Sequence, residues 1–296
     1  MRFGLVGTGP WAGMAHGPGL LAAEGVELVG VWGRSPEKAS TLAAELGVSA
    51  YDDFKTLLSD VDAVAFAVPP PIQAELAVVA ANARKHLLLD KPVAMTVADA
   101  HAVRDAATSA GVASVVFFTD RFADASRAWL REVRTTEGWR GGWLRSFSSL
   151  QEADNPFGSS PWRWENGALW DTGPHALSTL SAALGAVRSL TAVGGNGDLV
   201  TLVIRHESGA SSTASLTLFA PPAATGFEAA VWGDSGVSPM PLRSDRSEAG
   251  LLAVAAQELV ESARSGASHE VDVAFGARIV ELLAEAQAQL DTARSS

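Results

Sequence analysis

The stretch Met1-Arg2-Phe3-Gly4-Leu5-Val6-Gly7-Thr8-Gly9-Pro10-Trp11-Ala12-Gly13 decides how this chain is read. Arg2 to Val6 is the short apolar run of a strand buried on both faces. Gly7, Gly9 and Ala12 fit Gly-x-Gly-x-x-Gly/Ala, and a helical pattern follows from Pro10 to Glu24. Each small residue has a physical task. Gly7 allows a tight turn, Gly9 lets a pyrophosphate approach the backbone, and Ala12 lets helix and strand pack closely. The helix start offers unpaired N–H groups and the positive end of its dipole, with Pro10 and Trp11 at its mouth. An ordinary strand–helix turn carries the same glycines, so the rest of the chain has to choose between the two readings.

Outward from this turn, apolar runs alternate with helical patterns. Glu27–Trp32, Ala63–Val68, His86–Leu89 and Val112–Phe118 read as strands. Pro36–Leu46, Tyr51–Leu58, Ile72–Arg84 and Thr96–Ala110 read as helices, with Ser35 an N-cap before Pro36. This alternation predicts a doubly wound parallel α/β sheet, a Rossmann domain over residues 1–120. Beyond it come a helix (Ala123–Thr136), a strand (Gly142–Gln151) and an irregular stretch from Asp154 to Asn166. Trp170–Leu184 is helical, four strand-like runs lie between Val187 and Trp232, and Leu251–Ser265 and Val273–Asp291 are helical. Residues 121–296 are therefore expected to form an α+β domain on a mostly antiparallel open sheet.

The chain has 296 residues, 47% of them hydrophobic and 19% charged, enough for a sizeable core. A formal net charge of -11 argues against nucleic acid or an anionic membrane surface as partner. The absence of cysteine excludes disulfides and thiol chemistry. With neither a signal-like start nor a membrane-length apolar run, a cytoplasmic protein is expected.

In dinucleotide folds a carboxylate at the tip of the second strand binds the ribose 2′-hydroxyl of NAD. Here the tip reads Gly33-Arg34-Ser35, at the expected distance from the glycine turn. The missing carboxylate, the guanidinium and the hydroxyl favour NADP over NAD. Leu87-Leu88-Leu89-Asp90-Lys91-Pro92 puts charge at a strand's carboxyl end, where ligands of such sheets bind. Asp171 and His175, four apart at a helix start, would share one face, and a carboxylate can orient an imidazole for proton transfer. Asp171 as a helix cap and His175 as a core histidine are the plain alternatives. A metal site would need a third ligand that is not evident, so none is expected. Trp162, Trp164 and Trp170 suit either a sugar face or core packing.

The N-terminal turn, Pro69-Pro70-Pro71, Asp90-Lys91-Pro92 and Asp171-Thr172-Gly173-Pro174-His175 together resemble the glucose–fructose oxidoreductase, inositol dehydrogenase and rhizopine-catabolism family (Gfo/Idh/MocA), over almost the whole chain. The resemblance implies a two-domain NAD(P)-dependent oxidoreductase of sugars, polyols or similar hydroxy and oxo compounds. It makes Lys91 a residue that places the cofactor and bonds the reacting oxygen. It makes His175 the acid/base, with Asp171 beside it, and puts Val68, Pro69, Pro70 and Asp90 around the cofactor. Trp162-Arg163 resembles a common Trp-Arg, and Arg121 a common Arg-Phe that either lines the cleft or braces the domains. Departures are Asp90 for Glu, Gln73 for a His, and Asn166-Gly167-Ala168 for a glycine run. A homodimer or homotetramer through the open sheet is implied. A non-catalytic nucleotide sensor and an NAD-dependent glycosidase are the rival functions.

Overall fold

The computed structural model describes residues 1–151, 158, 160–242 and 246–295. The expected irregular stretch Asp154–Asn166 therefore lies partly outside the described residues.

Six strands, β1 (Arg2–Val6), β2 (Glu27–Trp32), β3 (Ser49–Tyr51), β4 (Ala63–Phe66), β5 (His86–Asp90) and β6 (Ser114–Phe117), form an all-parallel sheet. Their order is β3-β2-β1-β4-β5-β6, the dinucleotide-binding order expected for a chain that reverses beside its first strand. The strands are apolar because both faces are covered: Phe3, Leu5, Val64, Phe66, Leu88 and Val116 have no exposed surface. The connecting helices are α1 (Gly17–Ala22), α2 (Pro36–Leu46), α3 (Phe54–Asp60), α4 (Pro70–Asn82) and α5 (Val97–Ala110). Ser35, Asp53 and Thr96 accept from the backbone N–H three residues on, as N-caps do.

The first helical stretch departs from the expected continuous helix. A π-helical turn occupies Ala12–His16 before α1 begins, with the Gly17 N–H donating to the Ala12 carbonyl. The extra residue per turn swings the His16 ring into the core, where it is fully buried.

The second sheet contains β7 (Trp139–Phe147), β8 (Val187–Gly194), β9 (Val200–His206), β10 (Ser211–Thr217), β11 (Gly226–Gly233) and β12 (Gly236–Pro239), in the order β12-β11-β7-β10-β9-β8. It is antiparallel except for β7 against β10. One face alternates buried Leu144, Leu190, Leu202, Ile204, Ala214 and Leu216. α6 (Asp124–Thr135), α7 (Pro161–Asp171) and α8 (Gly173–Leu184) accompany it, and α8 packs on β7 and β10. Trp143, Val193, Val203 and Trp232 remain exposed. They share the other face, because Trp143 pairs across Thr213 to Val203, and Gly141, two residues before Trp143, pairs with Trp232.

Helices α9 (Glu248–Ser265) and α10 (Val273–Ser295) complete the chain. The compact units are Met1–Phe122 with Arg246–Val280, and Ala123–Asp245 with Glu281–Ser296. The division expected from sequence, at 120/121, differs in the stretch 246–280. That stretch packs on the parallel sheet's side: a Cβ on Gly19 would meet the Ala249 carbonyl at 2.7 Å and Leu252 at 2.9 Å. The Val116 N–H donates to the Val271 carbonyl at 2.8 Å. Among the described residues, no helix is long and apolar enough to cross a membrane.

Candidate active site

The sheet order carries the N-terminal turn, the end of β2, Val68-Pro69-Pro70 after β4 and Asp90-Lys91 after β5 to one edge, the carboxyl edge of the parallel sheet. Gly7 has φ +127°, and a Cβ there would lie 2.2 Å from the Ala67 carbonyl oxygen, so only glycine fits. Gly9 differs: a Cβ there would meet nothing within 4 Å. The protein gives no steric reason for that glycine, whereas a phosphate cradled at this helix start would. A dinucleotide fits this turn on that observation. Trp11 is half-buried, its ring edge-on to His16 with centroids 6.3 Å apart. Ala12 is buried, and its N–H donates to the Gly9 carbonyl.

At the end of β2, Gly33 has a reason of its own. A Cβ there would stand 2.6 Å from Thr8 Cγ2, so no side chain, carboxylate or other, enters while Thr8 is in place. Arg34 is exposed, and the Ser35 hydroxyl caps α2 by accepting from the Lys38 N–H.

Asp90-Lys91 is held on several sides. The Asp90 Oδ1 accepts from the Lys91 N–H at 2.7 Å, and Oδ2 lies 4.0 Å from His16 Nε2. His16 makes no hydrogen bond of good geometry. Burial pushes its pKa below the ordinary histidine value, opposed by the Asp90 charge and by the Trp11 and Phe66 carbonyls. Gln73, on α4, is 1% exposed. Its amide grips the backbone on both sides of Lys91. The Lys91–Pro92 bond is cis.

Arg121 sits in a 3-10 turn at Thr119–Phe122, 4% exposed, 2.8 Å from Glu270 and over the Phe275 ring. Within this unit it ties the 246–280 stretch to the end of β6. A cavity of about 290 Å³ lined by His86, Ser114, Ser262, His269 and Asp272 lies at the amino end of β5, opposite the edge that carries Lys91.

In the second unit, Asp171 and His175 are close in sequence but belong to two helices. Asp171 ends α7, Thr172 links, and His175 lies in the first turn of α8. The plain cap reading of Asp171 does not hold, because the residue ahead of α8 is Thr172, without a side-chain cap bond. Asp171 instead accepts from Arg163 Nε at 2.9 Å. The contact arises from a break at Gly167 (φ +65°, ψ −168°), which folds the turn carrying Trp162 and Arg163 back toward the helix end. Asp198, which the sequence does not advertise, pins that break. Its carboxylate accepts from the Ala168 and Leu218 N–H groups and from the Thr217 hydroxyl. Trp170 is core, its indole donating to Gln287. Trp162 is half-buried, and Trp164 is 47% exposed with its ring 4.7 Å from that of Phe219.

A Rossmann unit with an open glycine cradle and a charged strap at its carboxyl edge, together with a unit on a mixed sheet, has the make-up of a dinucleotide-binding protein. The family comparison agrees. Residues 1–118 match the model of the oxidoreductase family with an NAD-binding Rossmann fold, GFO_IDH_MocA, and residues 137–237 match the GFO/IDH/MocA C-terminal domain. The chain belongs to the Gfo/Idh/MocA oxidoreductase family. It is 28% identical over 228 residues to 4-carboxy-2-hydroxymuconate-6-semialdehyde dehydrogenase of Sphingobium sp., covering 73% of this chain and 72% of that one. It is 33% identical over 125 residues to D-xylose 1-dehydrogenase (NADP(+)) 2 of Haloferax volcanii, covering 41% of this chain and 38% of that one. The structure of a levoglucosan dehydrogenase complex with NADH and levoglucosan superposes with a TM-score of 0.85 at 17% identity, over 98% of this chain and 97% of that one. At that identity the likeness is one of fold.

Proposed function

We propose that the protein is an NADP-preferring dehydrogenase or reductase of sugars, polyols or similar small hydroxy and oxo compounds. The observation that carries the reading is the carboxyl edge of the first unit, where an open Gly9 cradle after β1 and the Asp90-Lys91 strap at the end of β5 lie on the same edge with β4 between them. NADP is favoured because the tip of β2 carries Arg34 and Ser35 and excludes a carboxylate at Gly33. The 2′-phosphate would meet Arg34 and the Ser35 hydroxyl. Gly7, Gly9, Pro10, Trp11 and Ala12 would hold the pyrophosphate, and Val68, Pro69 and Pro70 would flank the nicotinamide.

A nicotinamide nucleotide supplies hydride chemistry when bound. The residues of this chain do the rest. Lys91 donates to the reacting substrate oxygen and stabilises charge on it. His175 acts as the acid/base toward the substrate hydroxyl or carbonyl. Asp171, held by Arg163, orients the imidazole. Trp162 and Trp164 offer apolar faces to a sugar ring. A second copy of the chain covers the face of the second sheet that exposes Trp143, Val193, Val203 and Trp232, giving a dimer or tetramer.

The test is turnover of NADP(H) and NAD(H) with levoglucosan, D-xylose and other sugars and their oxo forms. His175→Ala should lower kcat about a hundredfold or more while NADPH still binds. Near-normal kcat in that variant removes His175 from the reaction.

A further inference from the structure

Lys91 leaves a strap whose backbone cannot continue a sheet ladder. β5 ends at Asp90, Pro92 has no N–H, and Pro92 and Val93 are buried. Their carbonyls, and the N–H and carbonyl of Asp90, are met by one uncharged side chain. Gln73 Oε1 accepts from the Asp90 N–H at 2.8 Å. Gln73 Nε2 donates to the Asp90 carbonyl at 2.8 Å and to the Pro92 and Val93 carbonyls at 3.2 Å each. The amide thus binds the residue before Lys91 and the two after it, and touches neither the lysine's side chain nor the glycine turn by these bonds. Only a group with both an acceptor and donors can do this.

We propose that Gln73 is a positioning residue that fixes the strap from which Lys91 reaches the substrate, and that its value lies in being an acceptor and donor at every pH. The proposal rests on the reading of Lys91 given above. A carboxylate at 73 would lack the donors, an aliphatic residue would lack both functions, and a histidine would supply both only while neutral. The titratable groups about the strap are Asp90 and Lys91 within it and His16, which faces Asp90 from the π-helical turn.

The experiment compares wild type, Gln73→Leu and Gln73→His in three measurements. These are amide hydrogen exchange of the 86–95 segment, binding of NADPH and NADH by nicotinamide fluorescence, and steady-state kinetics on whichever panel sugar turns over. Gln73→Leu should exchange faster in 86–95, and its kcat should fall roughly ten- to a hundredfold with a much smaller change in KM for the nucleotide. Gln73→His should approach wild type at pH 8.5, and its kcat relative to wild type should fall as the pH is lowered and the imidazolium loses its acceptor. Unchanged exchange, unchanged kcat, or a loss confined to KM overturns the proposal. If Gln73→Leu does not fold, Gln73→His decides alone, and a ratio to wild type that stays flat from pH 8.5 to 5.5 overturns it. If wild type turns over no panel compound, the oxidoreductase reading fails by itself. Exchange in 86–95 then decides the clamp, with unaltered protection in both variants counting against it.

Discussion

Introducing Asp at position 33 probes cofactor choice and packing together. In the native turn, a Cβ on residue 33 would stand 2.6 Å from Thr8 Cγ2, about 1 Å inside ordinary carbon contact. Thr8 must turn about χ1 or shift to relieve the clash, and a β-branched side chain has few staggered alternatives. Gly33→Asp alone should therefore lose about 1–3 kcal/mol of stability. Thr8→Ser removes Cγ2 and leaves the hydroxyl oxygen 3.3 Å from the new Cβ, a tolerable contact. The double variant should thus recover most of that loss, a coupling of about 1 kcal/mol or more. Its carboxylate should repel a 2′-phosphate. A pair of unit charges ~4 Å apart interacts by ~1 kcal/mol in water and ~4 kcal/mol at an effective dielectric of 20. A penalty of about 2 kcal/mol lowers NADPH affinity roughly thirtyfold, while NADH gains a ribose partner. Thermal unfolding of the four proteins and nucleotide titration read both effects. A single Gly33→Asp protein as stable as wild type would sink the steric account. An unchanged NADPH to NADH ratio in the double variant would sink the placement of the 2′-phosphate.

Three further outcomes are expected. Arg34→Ala should weaken NADPH several-fold more than NADH in the same titration, and equal weakening contradicts the NADP preference. Asp198→Ala strands two backbone N–H groups and a hydroxyl, and should cost about 2–4 kcal/mol by urea unfolding, with Asp198→Asn costing less. Burial lowers the pKa values of His16, His86 and His206. Below pH ~6.5 the unfolded chain takes up protons that the folded protein refuses, so stability falls as pH drops, by up to about 1.4 kcal/mol per pH unit for each such group. Urea midpoints at pH 7.5, 6.5 and 5.5 should show a shallower acid loss for His16→Asn, and parallel slopes would exclude His16 from it.

The parallel sheet was legible because each of its buried strands is a solid apolar run between helical periods, and the turn at Gly7 names its first crossover. β3 escaped because three residues, Ser49 to Tyr51, make no pattern. β12 escaped because Gly236–Pro239 reads as a turn. The π-helical turn leaves no periodic mark, so His16 looked like any residue of a helix. Helix α7 was hidden by Gly167 and by a tryptophan-rich composition that suggests loop. The pairing of β7 with β10 and the packing of 246–280 on the first unit are non-local, and an amphipathic helix does not state which core it joins. At the candidate site, the residue types that carry chemistry were readable. Their supports were not: Gln73, Asp198 and the Arg163–Asp171 pair act through backbone groups and folded-back turns that only coordinates bring together.

The first unit closes only with residues from far along the chain. Gly19 packs on α9, and Val116 bonds to Val271. On a ribosome, the segment beginning at Arg246 is made roughly 120 residues after Phe122, a delay of about 6–25 s at ordinary elongation rates. Through that interval the nascent nucleotide-binding half exposes an apolar flank that belongs against α9. The second sheet, by contrast, has all its strands in hand once β12 has been made. The order of synthesis thus sets the nucleotide-binding half to finish late.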